Sequence, residues 1–370
     1  MEKRFYKQKA MLRLILFYLR RLIEFSKPSF FFSYLRPVIK QALYLVGKRR
    51  FRQAHNYFWA RIFSIEEGLG LAIPLYNFNP ELTAHPDRVE LEVTTKCSLR
   101  CPKCEQAYWD IPKEDMSFNN FKKVIDRFPG LKAVSLTGIG HGFENKEYTK
   151  MLAYAKSKSL FVQFFDPLLL INEDISRELI DIGVDWIWMS IDGATKEVYE
   201  RSIAGSDFDK VVKNATALME LRGKMGSPFP ELHFQFIITK YNVNEMPQVV
   251  ELGNSIIAGR QPLCEIQFIK LISFNENRYL TPEIDKGILR ATMEKAKKFK
   301  GFRLKFIHVR HGPKPPISEC FAWTVPFITV DGTVYPCCTL TEGNIRHLLV
   351  KDGALGDRCI AEVQLFTETT

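Results

Sequence analysis

The chain lacks the marks of several protein classes. Eight cysteines in 370 residues are too few for a disulfide scaffold. No apolar run reaches the ~20 uninterrupted residues that cross a bilayer. Arg13, Arg20 and Arg21 break the first long stretch, and Arg36 and Lys40 break the second. No small-residue cleavage site follows the first, so no signal peptide is expected. There is no internal repeat, no low-complexity tract and no aromatic-interleaved basic motif that would argue for nucleic acid. Apolar residues at 46% and charged residues at 25% are enough for a normal core and exclude global disorder. The length suits one large domain or two modest ones.

Charge is distributed unevenly. Between Met1 and Ala60 there are fourteen Lys and Arg against two Glu, a balance of +12, while the whole chain carries +10. The remaining 310 residues therefore stand at −2. Within this basic arm Met11 to Phe25 reads as an amphipathic helix, and a second helix is expected from Pro37 through Val46, before Lys48-Arg-Arg50. Two readings of the arm stand side by side. It lies peripherally on an anionic membrane surface, cations toward the headgroups, or its apolar stripe packs on the body beneath a solvated basic face. Docking on an acidic partner or on nucleic acid is a third and weaker reading.

From Arg88 the pattern changes to short β-branched runs alternating with helical stretches, which predicts an α/β fold with a mostly parallel sheet. Strands are expected at Val89–Thr94, Ala133–Thr137, Phe161–Phe165, Trp186–Ile191, Leu232–Thr239 and Glu265–Leu271. Helices are expected at Phe118–Phe128, Tyr148–Lys156, Asp174–Ile182, Phe208–Leu221, Met246–Leu252 and Thr281–Lys298, with a further strand near Phe302–Val309. About six parallel strands make a partial (β/α) barrel, whose reactive loops sit at the carboxyl ends of the strands. The organisation expected is a helical basic extension over residues 1–75, a core over 85–310 and a small Cys-rich segment over 317–370. A linker falls at His311–Pro316, and Thr329–Val334 reads as a hairpin turning at Asp331-Gly332.

Six cysteines are clustered. Cys97, Cys101 and Cys104 lie within eight residues just after the first strand. Three soft thiolates on so short a loop can wrap one metal centre, zinc or iron–sulfur. A closed zinc site needs a fourth ligand, and no histidine or cysteine follows within twenty residues of Cys104. In a chain without a signal peptide, such clustering points to metal chemistry in a reducing, cytoplasmic compartment.

The Cys-x₃-Cys-x₂-Cys run resembles the mark of the radical S-adenosylmethionine (radical SAM) superfamily, over roughly Arg88 to Leu271. The resemblance implies that Cys97, Cys101 and Cys104 hold a 4Fe–4S cluster whose fourth iron takes the amino and carboxylate groups of S-adenosylmethionine. Reductive cleavage then yields a 5′-deoxyadenosyl radical that abstracts hydrogen from substrate. It implies a low-potential electron donor of the flavodoxin or ferredoxin type. Gly138 and Gly140 sit where the superfamily places glycines beside the cofactor's amine, and Ser190 and Asp192 where its sugar or carboxylate is met. For Ser190 and Asp192, turn chemistry at a strand end is the other reading. His141 stands where a Glu is usual, Phe164-Phe-Asp-Pro167 where Thr-Asn-Gly is common, and Lys103 where an aromatic is often found. Glu144 or Asn145 would be other partners for the amine. Tyr108 and Trp109 pack near the adenine or serve as ordinary core aromatics.

The run from Cys320 to Cys337-Cys338 is similar to the SPASM-type auxiliary domain, which implies an auxiliary iron–sulfur cluster through Cys320 and Cys337, with Cys338 or Cys359 as further ligands. The bland alternative is a zinc knuckle. Cys264, in a buried strand, reads as a packed thiol, and His308 and His311 as core or linker residues. The enzyme so implied acts on a peptide, a protein or a small molecule, and is expected in the cytoplasm, with the arm reaching the inner membrane surface. A reading from another class is a non-catalytic iron–sulfur or zinc scaffold that binds a partner through the arm.

Overall fold

The computed structural model describes residues 31–62, 86–299, 301–307 and 325–335, with Pro28 and the strand at 363–364. The first arm helix, the linker at 311–316, His308, Cys320, Cys337, Cys338 and Cys359 lie outside the described residues.

A ten-stranded sheet organises the body. Seven strands follow one another in chain order: β1 (Arg88–Leu91), β2 (Ala133–Leu136), β3 (Phe161–Asp166), β4 (Trp186–Ser190), β5 (Glu231–Ile238), β6 (Cys264–Lys270) and β7 (Phe302–Ile307). Each pairs in parallel with the next. On the other edge β8 (Phe327–Ile328) pairs in parallel with β1. It turns back antiparallel into β9 (Thr333–Tyr335), which pairs with β10 (Val363–Gln364). The mostly parallel α/β sheet is as expected, but larger: the strand expected near Phe302–Val309 joins the six as β7, and the expected hairpin around Asp331-Gly332 closes onto β1. Asp331 makes that turn by accepting from Thr329 Oγ1 and from the Thr333 backbone N–H.

Local rules set the helix limits. Ser117, Asn172, Thr195 and Asp207 each accept a backbone N–H three residues on, which satisfies an orphan donor of the first turn. They open α3 (Phe118–Arg127), α5 (Glu173–Ile182), α6 (Lys196–Ser202) and α7 (Phe208–Lys224). The helix α4 spans Tyr148–Ser157, and α8 runs Met246–Ile257, past the expected end at Leu252. The helix expected from Thr281 begins later, as α9 (Lys286–Lys297), because Asp285 caps it through the Gly287 N–H. The short α6 was not anticipated. Its seven residues carry too little apolar period, and its signal is the Thr195 cap.

Side-chain alternation divides the sheet faces. Ile187 and Met189 of β4 join the core under the helices, with Val134, Phe164 and Phe234. Trp186 and Trp188 point the other way and join Phe161, Ala133 and Leu263. That second cluster is completed by the arm: α1 (Arg36–Gly47) contributes Val38 and Leu45, and α2 (Phe51–Ile62) contributes Ala54, Tyr57 and Ala60. Tyr34 lies under Arg303 of β7, while Arg61 stacks 4.4 Å over Trp186 of β4. One segment, Tyr34 to Ile62, meets β3 through Tyr57 on Phe161, β4 through Arg61 on Trp186 and β7 through Tyr34 under Arg303, which fits a sheet curved around it, as in a partial barrel. Gln53 and Asn56 donate to the Lys156 and Ser159 carbonyls, which lead into β3. The arm therefore closes the amino end of the sheet. For the second arm helix, the reading in which the stripe packs on the body holds: Val38, Gln41 and Leu45 are buried there.

Candidate active site

The loops at the carboxyl ends of β1, β2, β4, β5 and β6 converge around the cysteine loop. Its backbone is pinned from several directions. The His141 N–H donates to the Lys96 carbonyl at 2.7 Å and the Arg100 N–H to the Ala204 carbonyl at 2.9 Å. Gln106 Nε2 donates to the carbonyls of Thr95 and Ile139, and Asn277 Nδ2 to that of Lys103. Leu99 is buried beneath. Cys97, Cys101 and Cys104 are half-buried and form no disulfide. Burial pushes all three thiols up, Cys104 to about 11. They hold their protons at neutral pH until a metal displaces them. Among the described residues no three His, Cys, Asp or Glu side chains gather closely enough to hold a single metal ion.

Gly138 and Gly140 lie at the end of β2, and the first demand on them is packing. A Cβ on Gly138 would come within 2.6 Å of the Glu92 side chain, and one on Gly140 would overlap the Thr94 carbonyl. Only glycine lets this loop lie against β1. The two also line a small cavity of about 30 Å³ with Val93, Thr94, Thr137, Tyr148 and Phe165. Glu92, buried beside Gly138, accepts from the N–H groups of Ile139 and Val330, so it joins the glycine loop to the hairpin. Burial pushes its carboxyl up from 4.5 to about 7. The folded chain thus holds a proton that the unfolded chain has lost, and stability falls as pH rises between those values. Glu92→Gln is expected to remove this slope in denaturant unfolding followed from about pH 5 to pH 8.

Two departures from the superfamily pattern prove to be partners. His141 Nε2 lies 2.9 Å from Asp166 Oδ2, both side chains nearly inaccessible. Burial opposes charge on His141, but the Asp166 carboxylate more than offsets it and raises the imidazole pKa. Sequence reading found both residues and not the pair, because β3 carries Asp166 to the glycine loop from twenty-five positions away. Asn145 donates to the Val93 and Met116 carbonyls, so its amide is already committed. Ser190 ends β4 half-buried. Asp192 accepts from the Ile237 N–H at 2.6 Å and forms an ion pair with Lys103 of the cysteine loop. Gly193 follows because a Cβ there would run into the Tyr199 backbone. The carboxylate of Asp192 thus braces the cysteine loop against β5. Tyr108 and Trp109 pack on Phe274, and Tyr108 meets the Tyr279 hydroxyl at 3.0 Å. Cys264 is a buried thiol within β6, as expected.

A parallel α/β sheet with a pinned three-thiol loop at the end of its first strand and a glycine loop at the end of its second defines a class. Residues 91–252 match the Radical SAM superfamily. Over those residues the chain is similar to that superfamily, whose enzymes bind a 4Fe–4S cluster and S-adenosylmethionine. Among curated relatives, the tungsten-containing aldehyde ferredoxin oxidoreductase cofactor-modifying protein of Pyrococcus furiosus is 26% identical over 43% of this chain and 46% of its own length. The chain thus spans less than half of that relative. The PqqA peptide cyclase of Granulibacter bethesdensis is 23% identical over 72% of this chain and 71% of its own. Among solved structures, Streptococcus suis SuiB bound to S-adenosylmethionine aligns with a TM-score of 0.57 at 14% identity, covering 82% of this chain and 73% of that one. That likeness shows the fold.

Proposed function

We propose that this chain is a radical SAM enzyme that modifies a peptide or protein. The observation that carries the reading is the loop itself: three unbridged, half-buried thiols at the carboxyl end of β1. Three thiols on one loop suit a cluster, where each binds its own iron and one iron is left open, better than a closed zinc site, which takes four ligands. Cys97, Cys101 and Cys104 would hold the cluster. Gly138 and Gly140 would let S-adenosylmethionine approach the loop backbone, with Ser190 near its polar end. When bound and reduced, the pair supplies a 5′-deoxyadenosyl radical for hydrogen abstraction. The protein's part is to hold the loop rigid from four neighbouring segments and to limit water at the thiols.

A peptide substrate is favoured by the relative named a PqqA peptide cyclase, which matches over most of both chains. Cys320, Cys337 and Cys338 would hold an auxiliary cluster, and a flavodoxin- or ferredoxin-type donor would supply the electron. Anaerobic reconstitution followed by iron, sulfide and 5′-deoxyadenosine analysis tests the reading. Wild-type protein is expected to bind iron and to cleave S-adenosylmethionine on reduction. Cys101→Ala is expected to lose all detectable cleavage and the near-visible thiolate–iron absorption, with a far-ultraviolet dichroism spectrum unchanged. Zinc without iron in the wild type, or cleavage retained in Cys101→Ala, would overturn it.

A further inference from the structure

Among the described residues ten large apolar side chains are exposed, and six of them fall in one stretch of the arm: Phe31, Phe32, Leu43, Tyr44, Val46 and Phe51. Phe32, Leu43 and Phe51 are each more than 60% exposed. Interleaved with them are Arg36, Lys40, Lys48, Arg49, Arg50 and Arg52, all exposed. No acidic residue occurs between positions 31 and 60. The arm's ion pair among the described residues is the buried one between Arg61 and Glu231.

Helix α1 has two faces with different fates. Val38, Gln41 and Leu45, at spacings of three and four, are buried against the body. Arg36, Lys40 and Leu43, at spacings of four and three, lie on another face of the same helix, while the Tyr44 ring packs edge-on against Phe229. The buried face explains the fold, and the outer face is left to be explained. Single exposed apolar residues are ordinary, but a contiguous apolar patch marks an interaction site.

We propose that this outer face docks on an anionic lipid bilayer. Three observations select that occupant. The exposed cations alternate along the segment with the exposed apolar side chains, the composition of an amphipathic element that buries apolar groups at the headgroup boundary while Lys and Arg meet lipid phosphates. The chain's own first thirty residues are poor cover, because they carry eight Lys and Arg against two Glu and would bring like charge to like. A bilayer accepts both segments at once, and stable anchoring takes two such signals. Finally, α2 contacts the carbonyls that lead into β3, so the patch sits at the amino end of the sheet. Docking there leaves the cysteine loop, at the carboxyl ends, facing away from lipid and open to substrate and donor. The proposal is independent of the chemistry assigned to that loop.

The test is co-sedimentation of the full chain with extruded phosphatidylcholine vesicles, with and without about one-third phosphatidylglycerol. Binding is expected only with the anionic lipid, and is expected to be lost as salt rises from about 0.1 to about 0.5 M. Lys40→Gln combined with Arg52→Gln is expected to lower partitioning about 25-fold, at about fivefold per charge near the surface. Leu43→Ser combined with Phe51→Ser is expected to lower it at least tenfold at an unchanged thermal midpoint. The proposal is overturned if the wild type fails to bind anionic vesicles at low salt. It is overturned equally if neither pair of substitutions alters binding, which would assign it to the first thirty residues alone. It also fails if the apolar pair abolishes self-association while vesicle binding persists, which would make a second copy the occupant.

Discussion

Arg61→Met is expected to lower the unfolding free energy by about 3–5 kcal/mol, the usual result of stripping one partner from a buried ion pair. Arg61 Nη1 lies 3.6 Å from Glu231 Oε2, with 4% and 1% of the two side chains accessible. The guanidinium also stacks on Trp186 and Tyr34. Glu231 receives the Tyr57 hydroxyl at 2.8 Å and faces His233 at 3.4 Å. Burial alone would raise the Glu231 carboxyl, yet Arg61 and its other partners hold it below 4.5. Its contribution to stability is therefore present above the unfolded value and lost as pH falls through the folded one. Without Arg61 burial is left to act, the carboxyl rises above 4.5, and stability falls as pH increases past that point. The deficit should be largest near neutral pH and shrink in acid, in urea unfolding at several pH values. Adding Glu231→Gln to Arg61→Met should recover much of the loss. A deficit under about 1 kcal/mol that does not vary with pH would show that this pair does not lock the arm to the sheet.

That lock is also where sequence reading reached its limit. The strands of the body were legible because each is a short apolar run between turn residues, and their order follows from parallel βα succession. The cysteine loop was legible because its ligand types recur at fixed spacing within one segment. The seating of the arm was not. Tyr57, Arg61 and Glu231 are 174 residues apart at the extremes, and a buried arginine looks in sequence like any other cation of a basic arm. The His141–Asp166 pair escaped for the same reason. Each residue was marked as a departure from pattern, and only the neighbouring positions of β2 and β3 make the two departures one unit. Asp192 had two readings, cofactor contact and turn chemistry, and its partners lie in neither place: its carboxylate meets the Ile237 N–H of β5 and Lys103 of the cysteine loop.

Lys103 and Asp192 give the sharpest expectation for the cluster: substitutions of the two should shift its midpoint potential in opposite directions. Lys103 lies between Cys101 and Cys104 in the chain, and its ammonium is within electrostatic reach of both thiols. It is paired with Asp192, donates to the Ser202 carbonyl at 3.2 Å, and is only 15% accessible. Burial opposes its charge, but Asp192 more than compensates, so the lysine stays cationic. A cation beside thiolate-bound iron favours the reduced, more negative state and raises the potential, and an anion does the reverse. Lys103→Met leaves the Asp192 carboxylate uncompensated and should lower the potential. Asp192→Asn leaves the ammonium uncompensated and should raise it. A tenfold change in the one-electron reduction equilibrium is about 59 mV, and charges buried this deeply should give a shift of that order in each direction. The double variant should return toward the wild type, and Lys103→Arg should retain its potential. The measurement is a redox titration followed by electron paramagnetic resonance, with iron content determined alongside. Mere loosening of the loop would move both single variants the same way, or would remove iron without a directed shift. Such a result would reduce Lys103 to a mechanical strut and leave the potential to the other groups around the loop.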